Sequence, residues 1–303
     1  MSVLFDPAAP YDVEEIDTVF AKPGGVDLLA RIYRPRGVSA AAPAMALVDV
    51  HGGAWARGDR TAGAQHGRAL AACGLIIVAV DFRQAPEHQH PAASADVSAG
   101  VRWVRAHAKT LGVDASRVGL IGSSSGGHLA LLVAVRPGAP EHAGTPIVRP
   151  DGSLDATPGD DAAAFVLALY PVADPLARYR YVLGRRDEPA ESGGFDASRL
   201  IASHHGYFVD EAKMAEASVT RMVSAGHARA LPPAWVAQPE LDDNVPAAIT
   251  EAFVRAYADA GGHVERAHFP GARHGFIQRE SPDTDKCVAL MRDFIARQLG
   301  AGG

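Results

Sequence analysis

Short, unbroken apolar runs alternate with longer stretches of helical periodicity, and that alternation restricts this chain more than any other feature. The runs Ala44–Val50, Leu75–Asp81, Ala163–Tyr170 and Pro233–Ala237 have the length and composition of buried strands, and Val118–Ile121 and His263–His268 read as further strands. Between them lie helix-like stretches. Thr61–Cys73 closes at Gly74, Gly127–Val135 is ended by Pro137, and Val245–Ala260 stops at Gly261-Gly262. Val97, Val101, Val104 and Ala108 form one apolar face that ends at Gly112, and Val288, Met291, Ile295 and Leu299 do the same within Cys287–Leu299. Strands alternating with such helices predict an α/β chain whose mostly parallel central sheet is covered on both faces. Ile16–Ala21 and Val26–Tyr33, joined by Lys22-Pro23-Gly24-Gly25, read as a hairpin that adds antiparallel strands at one edge.

Two stretches break the alternation. Pro137–Asp161 is rich in Gly, Pro and Asp and reads as a loop. Val172–Leu231 has an irregular pattern that includes Tyr179, Tyr181, Phe195, Tyr207, Phe208, Met214 and Met222. An insertion of that length between core strands is usually functional. The expected arrangement is a single domain over residues 1–303, with a lid at 172–231 lying over the carboxyl ends of the strands, where ligands bind in open α/β sheets.

Composition excludes several classes. With 303 residues, 48% apolar and 21% charged, the chain is neither disordered nor fibrous. Its net charge of −6 and lack of any basic block argue against nucleic acid as a partner. No apolar run approaches membrane length, and the opening residues lack the basic and apolar regions of a secretion signal, so no membrane and a cytoplasmic location are expected. Cys73 and Cys287 read as two buried thiols rather than a disulfide. Neither has zinc-ligand spacing, the histidine pairs lack a nearby carboxylate at ligand spacing, and no phosphate-cradling glycine motif opens a helix. No metal or cofactor is expected.

The chemistry concentrates at Gly122-Ser123-Ser124-Ser125-Gly126-Gly127, between a strand and a helix. G-x-S-x-G in that setting is a tight turn that raises a serine hydroxyl above the sheet, with glycines where neighbouring backbone passes too close for a side chain. This register makes Ser124 the nucleophile; a shifted register would make it Ser125. A serine hydroxyl needs a base in reach and an acid to orient that base, in the chain order Ser, Asp or Glu, His. Glu240-Leu241-Asp242-Asp243-Asn244 follows one late strand and Gly271-Ala272-Arg273-His274 follows the next, both on the rim that carries Ser124. The acid is read as Asp242, ahead of Asp243 and Glu240. The base is read as His274, because its nearest rival, His268, falls within a strand. Donors for a tetrahedral oxyanion are expected from the N–H groups of Ser125, Gly52 and Gly53, with Ala54 as a further candidate. His51 would prop that loop. Trp55 reads as a packing wall or a substrate contact, and Tyr207 and Phe208 of the lid as further substrate contacts.

These pieces resemble the α/β-hydrolase superfamily, and within it the hormone-sensitive-lipase-like esterases and the arylformamidase-type hydrolases. The resemblance rests on His51-Gly52-Gly53-Ala54-Trp55, Asp81-Phe82-Arg83-Gln84-Ala85-Pro86-Glu87-His88 with Pro91-Ala92-Ala93, Gly122 to Gly127, Asp242 and His274. It covers roughly residues 26 to 299. It departs from the esterase pattern at Ser123, where an acidic residue is usual, and at Ala54, where a third glycine is usual. The resemblance implies an α/β-hydrolase fold and a cofactor-free serine hydrolase acting on a small carboxylic ester. An activated amide, formamide or carbamate is the alternative substrate. A ligand-binding protein on the same fold is a third reading, and a homodimer stays open. Tyrosines and methionines in the lid lead to the expectation of a small, largely apolar substrate rather than a polymer.

Overall fold

In a computed structural model of the chain, which describes residues 5–190 and 194–300, the apolar runs form one ten-stranded sheet. The first half of the chain contains β1 (Val13–Ala21), β2 (Leu28–Pro35), β3 (Ala44–Val50), α1 (Ala64–Ala71), β4 (Ile76–Val80), α2 (Ala92–Ala106), α3 (Ala108–Leu111), β5 (Val113–Ser123) and α4 (Ser125–Val135). Then come β6 (Ile147–Val148), β7 (Leu154–Asp155), β8 (Val166–Leu169), α5 (Pro175–Gly184), α6 (Ala197–Phe208), α7 (Glu211–Glu216) and α8 (Val219–Ser224). The chain closes with β9 (Ala234–Leu241), α9 (Ala247–Asp259), β10 (Val264–Arg273) and α10 (Pro282–Gly300).

The strand order is β10-β9-β8-β5-β3-β4-β2-β1-β6-β7. From β10 to β4 every neighbour is parallel, and the strands from β2 outward are antiparallel, as the opening hairpin required. Every residue of β3, β4 and β8 is buried, which explains their lack of polar alternation. Helix α4 is buried along its whole length, so it is apolar all round rather than on one face. The order of connection reverses at β3, which pairs with β5 on one side and β4 on the other. A crevice opens outside the strand ends at such a reversal. The loops after β3 and β5 meet there.

Two expectations need correction. The stretch read as a loop at 137–161 contains β6 and β7, which continue the sheet beyond β1. At two residues each, they are too short to show a period. The segment 172–231 is not irregular but holds the four helices α5 to α8. Each starts at a side chain that accepts a backbone N–H of its own first turn: Asp174 from Ala177, Asp196 from Arg199, Asp210 from Lys213 and Ser218 from Arg221. Those caps are a legible signal; α7 and α8, at six residues each, are too short for a clear apolar stripe, whereas α6 buries one face through Ala197, Leu200, His204, Tyr207 and Phe208. Both cysteines are buried and unbonded to each other. Among the described residues, no helix is long and apolar enough to cross a membrane.

Candidate active site

Strand β5 ends at Ser123 and helix α4 begins at Ser125, so Ser124 is the whole of the turn between them. Its φ of 54° and ψ of −118° lie where a residue with a side chain is strained. The flanking glycines are sterically required. A Cβ on Gly122 would lie 2.4 Å from the Gly126 carbonyl oxygen, and one on Gly126 would lie 2.1 Å from that of Val50. The backbone of Ser124 is tied down on both sides. Its N–H donates to Leu169 at 2.9 Å, and its carbonyl accepts from His128 and Val172 at 3.1 and 3.2 Å.

His274 follows β10 directly, and its Nε2 lies 3.0 Å from Ser124 Oγ. Nδ1 faces the Asp242 carboxylate at 3.0 and 2.9 Å. A proton on Nδ1 donates to Asp242 and leaves Nε2 as the acceptor for the serine O–H. Asp242 follows β9 directly and is itself oriented: Oδ1 also accepts the N–H groups of Asn244 at 3.0 Å and Val245 at 2.8 Å. The neighbouring acids are occupied elsewhere. Asp243 faces Arg273 at 3.8 Å, and Glu240 accepts the Gly271 N–H at 2.8 Å. Ser125, the alternative nucleophile, is fully buried. Tyr170 packs edge-on against the imidazole, with ring centroids 4.7 Å apart, and burial pushes its phenol far above the usual tyrosine range.

The loop after β3 approaches Ser124 closely, since a Cβ on Gly52 would lie 3.3 Å from Ser124 Cβ. Gly53 at φ 123°, Ala54 at 55° and Trp55 at 60° make a run of left-handed backbone. A Cβ on Gly53 would lie 2.0 Å from the Arg57 carbonyl oxygen, so only glycine fits. Gly52, Gly53 and Ala54 border the same cavity as Ser124 and His274. Ser125 opens α4, where an N–H has no acceptor inside the helix. His51 donates from Nδ1 to the Gly52 carbonyl at 2.8 Å and stacks on Phe82 at 4.2 Å, and burial lowers its basicity.

Trp55, Tyr207 and Phe208 do not meet the expectation of substrate contact. All three are fully buried, and none borders the cavity. The Trp55 indole stacks on Tyr207 at 5.6 Å, meets Phe208 edge-on at 4.8 Å and donates its N–H to His128 Nδ1 at 3.2 Å. His128 Nε2 then donates to the Ala217 carbonyl at 2.9 Å. This cluster ties α6 and the end of α7 to α4 and to the loop after β3. Burial drives the cluster because large rings remove much apolar surface while the indole N–H still finds a partner.

The lid tyrosines and methionines behind the expectation of a largely apolar substrate do not border the cavity. Met214 and Met222 are packed in the core, and the inserted segment presents Arg178, Gly194, Arg199 and Leu200 to a cavity of about 520 Å³. Arg178 carried no sequence signal, since a lone arginine on a short helix reads as solvent-facing. It is in fact buried, with Nε donating to the Asn244 carbonyl at 3.3 Å and one terminal nitrogen to Asn244 Oδ1. Arg178 therefore braces the loop that aims Asp242.

The chain is similar to known esterases in sequence and in fold. The chain is 36% identical to the esterase LipI of Mycobacterium tuberculosis over 45% of its own length and 42% of the relative's. It is 30% identical to the esterase LipC of the same organism over 77% of the chain and 53% of the relative. It thus spans about half the length of these two curated relatives. The solved structure of a thermophilic esterase from Thermogutta terrifontis, with propionate bound, superposes with a TM-score of 0.70 at 25% identity, covering 95% of this chain and 94% of that one. The model of the family Abhydrolase_3, described as an alpha/beta hydrolase fold, matches residues 47–278, and to that family the chain belongs.

Proposed function

We propose that the chain is a serine hydrolase that cleaves small carboxylic esters through an acyl-enzyme. The observation that carries this reading is the unbroken line from Asp242 through His274 to Ser124, with contacts of 2.9 and 3.0 Å. His274 Nε2 takes the Ser124 proton as Oγ attacks the ester carbonyl, and Asp242 holds the imidazole tautomer and stabilises the imidazolium. The carbonyl oxygen, now an anion, is received by the N–H groups of Gly52, Gly53 and Ser125. The imidazolium returns its proton to the departing alcohol, leaving Ser124 acylated. Water deprotonated by the same imidazole then attacks the acyl group, and collapse frees the acid and restores Ser124. The esterase names of LipI and LipC support the choice of an ester.

The test is hydrolysis of aryl esters of increasing acyl length beside N-formyl and carbamate substrates, by wild type, Ser124→Ala and Ser125→Ala. Wild type is expected to turn over the short esters. Ser124→Ala should lose roughly 10⁴-fold or more in kcat. Activity that survives in Ser124→Ala and vanishes in Ser125→Ala would overturn the assignment of the nucleophile. Turnover of the amides alone would replace the ester reading by C–N hydrolysis. Ligand binding without any turnover would make the protein a binder on a hydrolase fold.

A further inference from the structure

The cavity above Ser124 is ringed by cations. Arg57, Arg178, Arg199, Arg273 and Arg279 border it, and Asp243 is the one acid on its wall among the described residues. Asp243 is already paired with Arg273. Arg57 and Arg279 stand exposed at the mouth, where arginine is ordinary. Arg178 and Arg199 are different. Arg178 is 1% exposed, and its side chain meets a neutral amide and a carbonyl rather than a carboxylate. Its second terminal nitrogen is buried without any hydrogen-bond partner. Arg199 reaches Asp196 only at 3.9 Å.

These cations are also close enough to act on one another. Burial pushes the Arg178 guanidinium down to about 9, with Asp242 opposing the fall and Arg199 adding to it. Burial likewise lowers Arg199, and Arg57 lowers it further. A buried guanidinium with an unmet N–H, beside a second cation, is destabilising unless an anion completes it. The Asp242 carboxylate cannot serve, because His274 and two backbone N–H groups already occupy it.

We propose, building on the esterase reading above, that the ester this cavity takes carries a carboxylate of its own, received by Arg178 and Arg199 with Arg57 guiding it in at the mouth. Guanidinium groups suit this task because their planar forks match a carboxylate with two parallel N–H donors. Asn244 holds Nε and one terminal nitrogen of Arg178, and the second terminal nitrogen is the donor without a partner. The reaction is unchanged by this addition, since the second carboxylate is bound and takes no part in bond making or breaking.

The test compares two matched pairs of esters. In one, 4-nitrophenyl hydrogen glutarate against 4-nitrophenyl pentanoate places the charge on the acyl side. In the other, 4-acetoxybenzoate against 4-methylphenyl acetate places it on the alcohol side. In at least one pair the anionic ester is expected to lead by about tenfold or more in kcat/KM at low salt, carried by KM, because a charge-assisted hydrogen bond supports a difference of that order. The lead should shrink as salt screens the charges. It should also fall about tenfold in Arg199→Gln and in Arg178→Lys, with thermal midpoints reporting whether each variant is folded. Glutarate itself should raise the thermal midpoint of the Ser124→Ala protein, which needs no turnover. A neutral lead in both pairs, or an anionic lead that survives both arginine changes, overturns the proposal. If no ester is cleaved while glutarate still stabilises the protein, the hydrolase reading fails and the anion site stands. If neutral esters are cleaved best and glutarate has no effect, the anion site fails and the hydrolase reading stands.

Discussion

The rim of strand-end loops and the four-helix segment above it border one cavity but are built by different means. On the rim, each group of the proposed triad follows a strand within one residue: Ser124 after β5, Asp242 after β9 and His274 after β10. The sheet fixes their spacing, and backbone N–H groups fix the carboxylate. Above the rim, the helices α5 to α8 cap themselves and hold to the rest through buried rings, the imidazoles of His128 and His90, and the Arg178–Asn244 contacts. The difference teaches that the Ser124–His274–Asp242 geometry is set mainly by the sheet, with Arg178 bracing it from the helices.

If that division holds, a change on the rim alters rate and spares stability, and a change in the ring cluster does the reverse. Asp242→Asn is the most severe case. The amide oxygen can still accept from Asn244 and Val245, so the loop should keep its shape, but the NH₂ group then faces His274 Nδ1 and favours the wrong tautomer. A loss of about 10³–10⁴ in kcat is expected with little change in thermal midpoint. A midpoint that falls along with the rate would show that the carboxylate holds the fold as well.

Acid should strike the upper region next. His128 lies fully buried between Trp55 and Ala217, and burial depresses it to about 3. Its folded value is below the unfolded one near 6.5, so the unfolded chain binds the extra proton. Stability from this group is complete above pH 6.5 and is lost as pH falls toward 3. Between pH 7 and pH 5 the loss is about 2 kcal/mol from His128, and His90, depressed by burial to about 4, acts in the same direction. Urea midpoints measured at the two pH values check this; equal midpoints would mean the imidazoles are not held neutral.

The smallest expected effect sharpens the comparison most. Trp55→Phe keeps a ring against Tyr207 and removes the N–H that His128 accepts. A loss of roughly 1–3 kcal/mol in stability is expected from the unmet acceptor. For a small neutral ester, kcat/KM should stay within about threefold. A shifted KM without a stability loss would return the indole to the cavity.

The rim was legible because its constraints are local and chemical. Gly122 and Gly126 cannot carry a Cβ, Gly53 cannot either, and the acid and base each follow a run that is unmistakably a strand. The upper region was legible only in outline. Its residues Tyr207, Phe208, Met214 and Met222 were visible as apolar, but whether a ring faces a ligand or a neighbouring ring depends on contacts that cross the chain. Trp55 and Phe208 are far apart in sequence and touch in the fold. Arg178 shows the opposite failure: a residue that composition places in solvent is buried beside the loop of the catalytic acid.

The tethers on Ser124 have a mechanical consequence. Its N–H is anchored to Leu169 at the exit of β8, and its carbonyl to Val172 two residues before the first capped helix begins at Asp174. The inserted segment therefore departs from the very point where Ser124 is pinned. Any displacement of α5 to α8 that spared these two hydrogen bonds would pivot beyond Val172. Such a displacement would reshape the walls of the chamber and leave Ser124 Oγ where the sheet holds it.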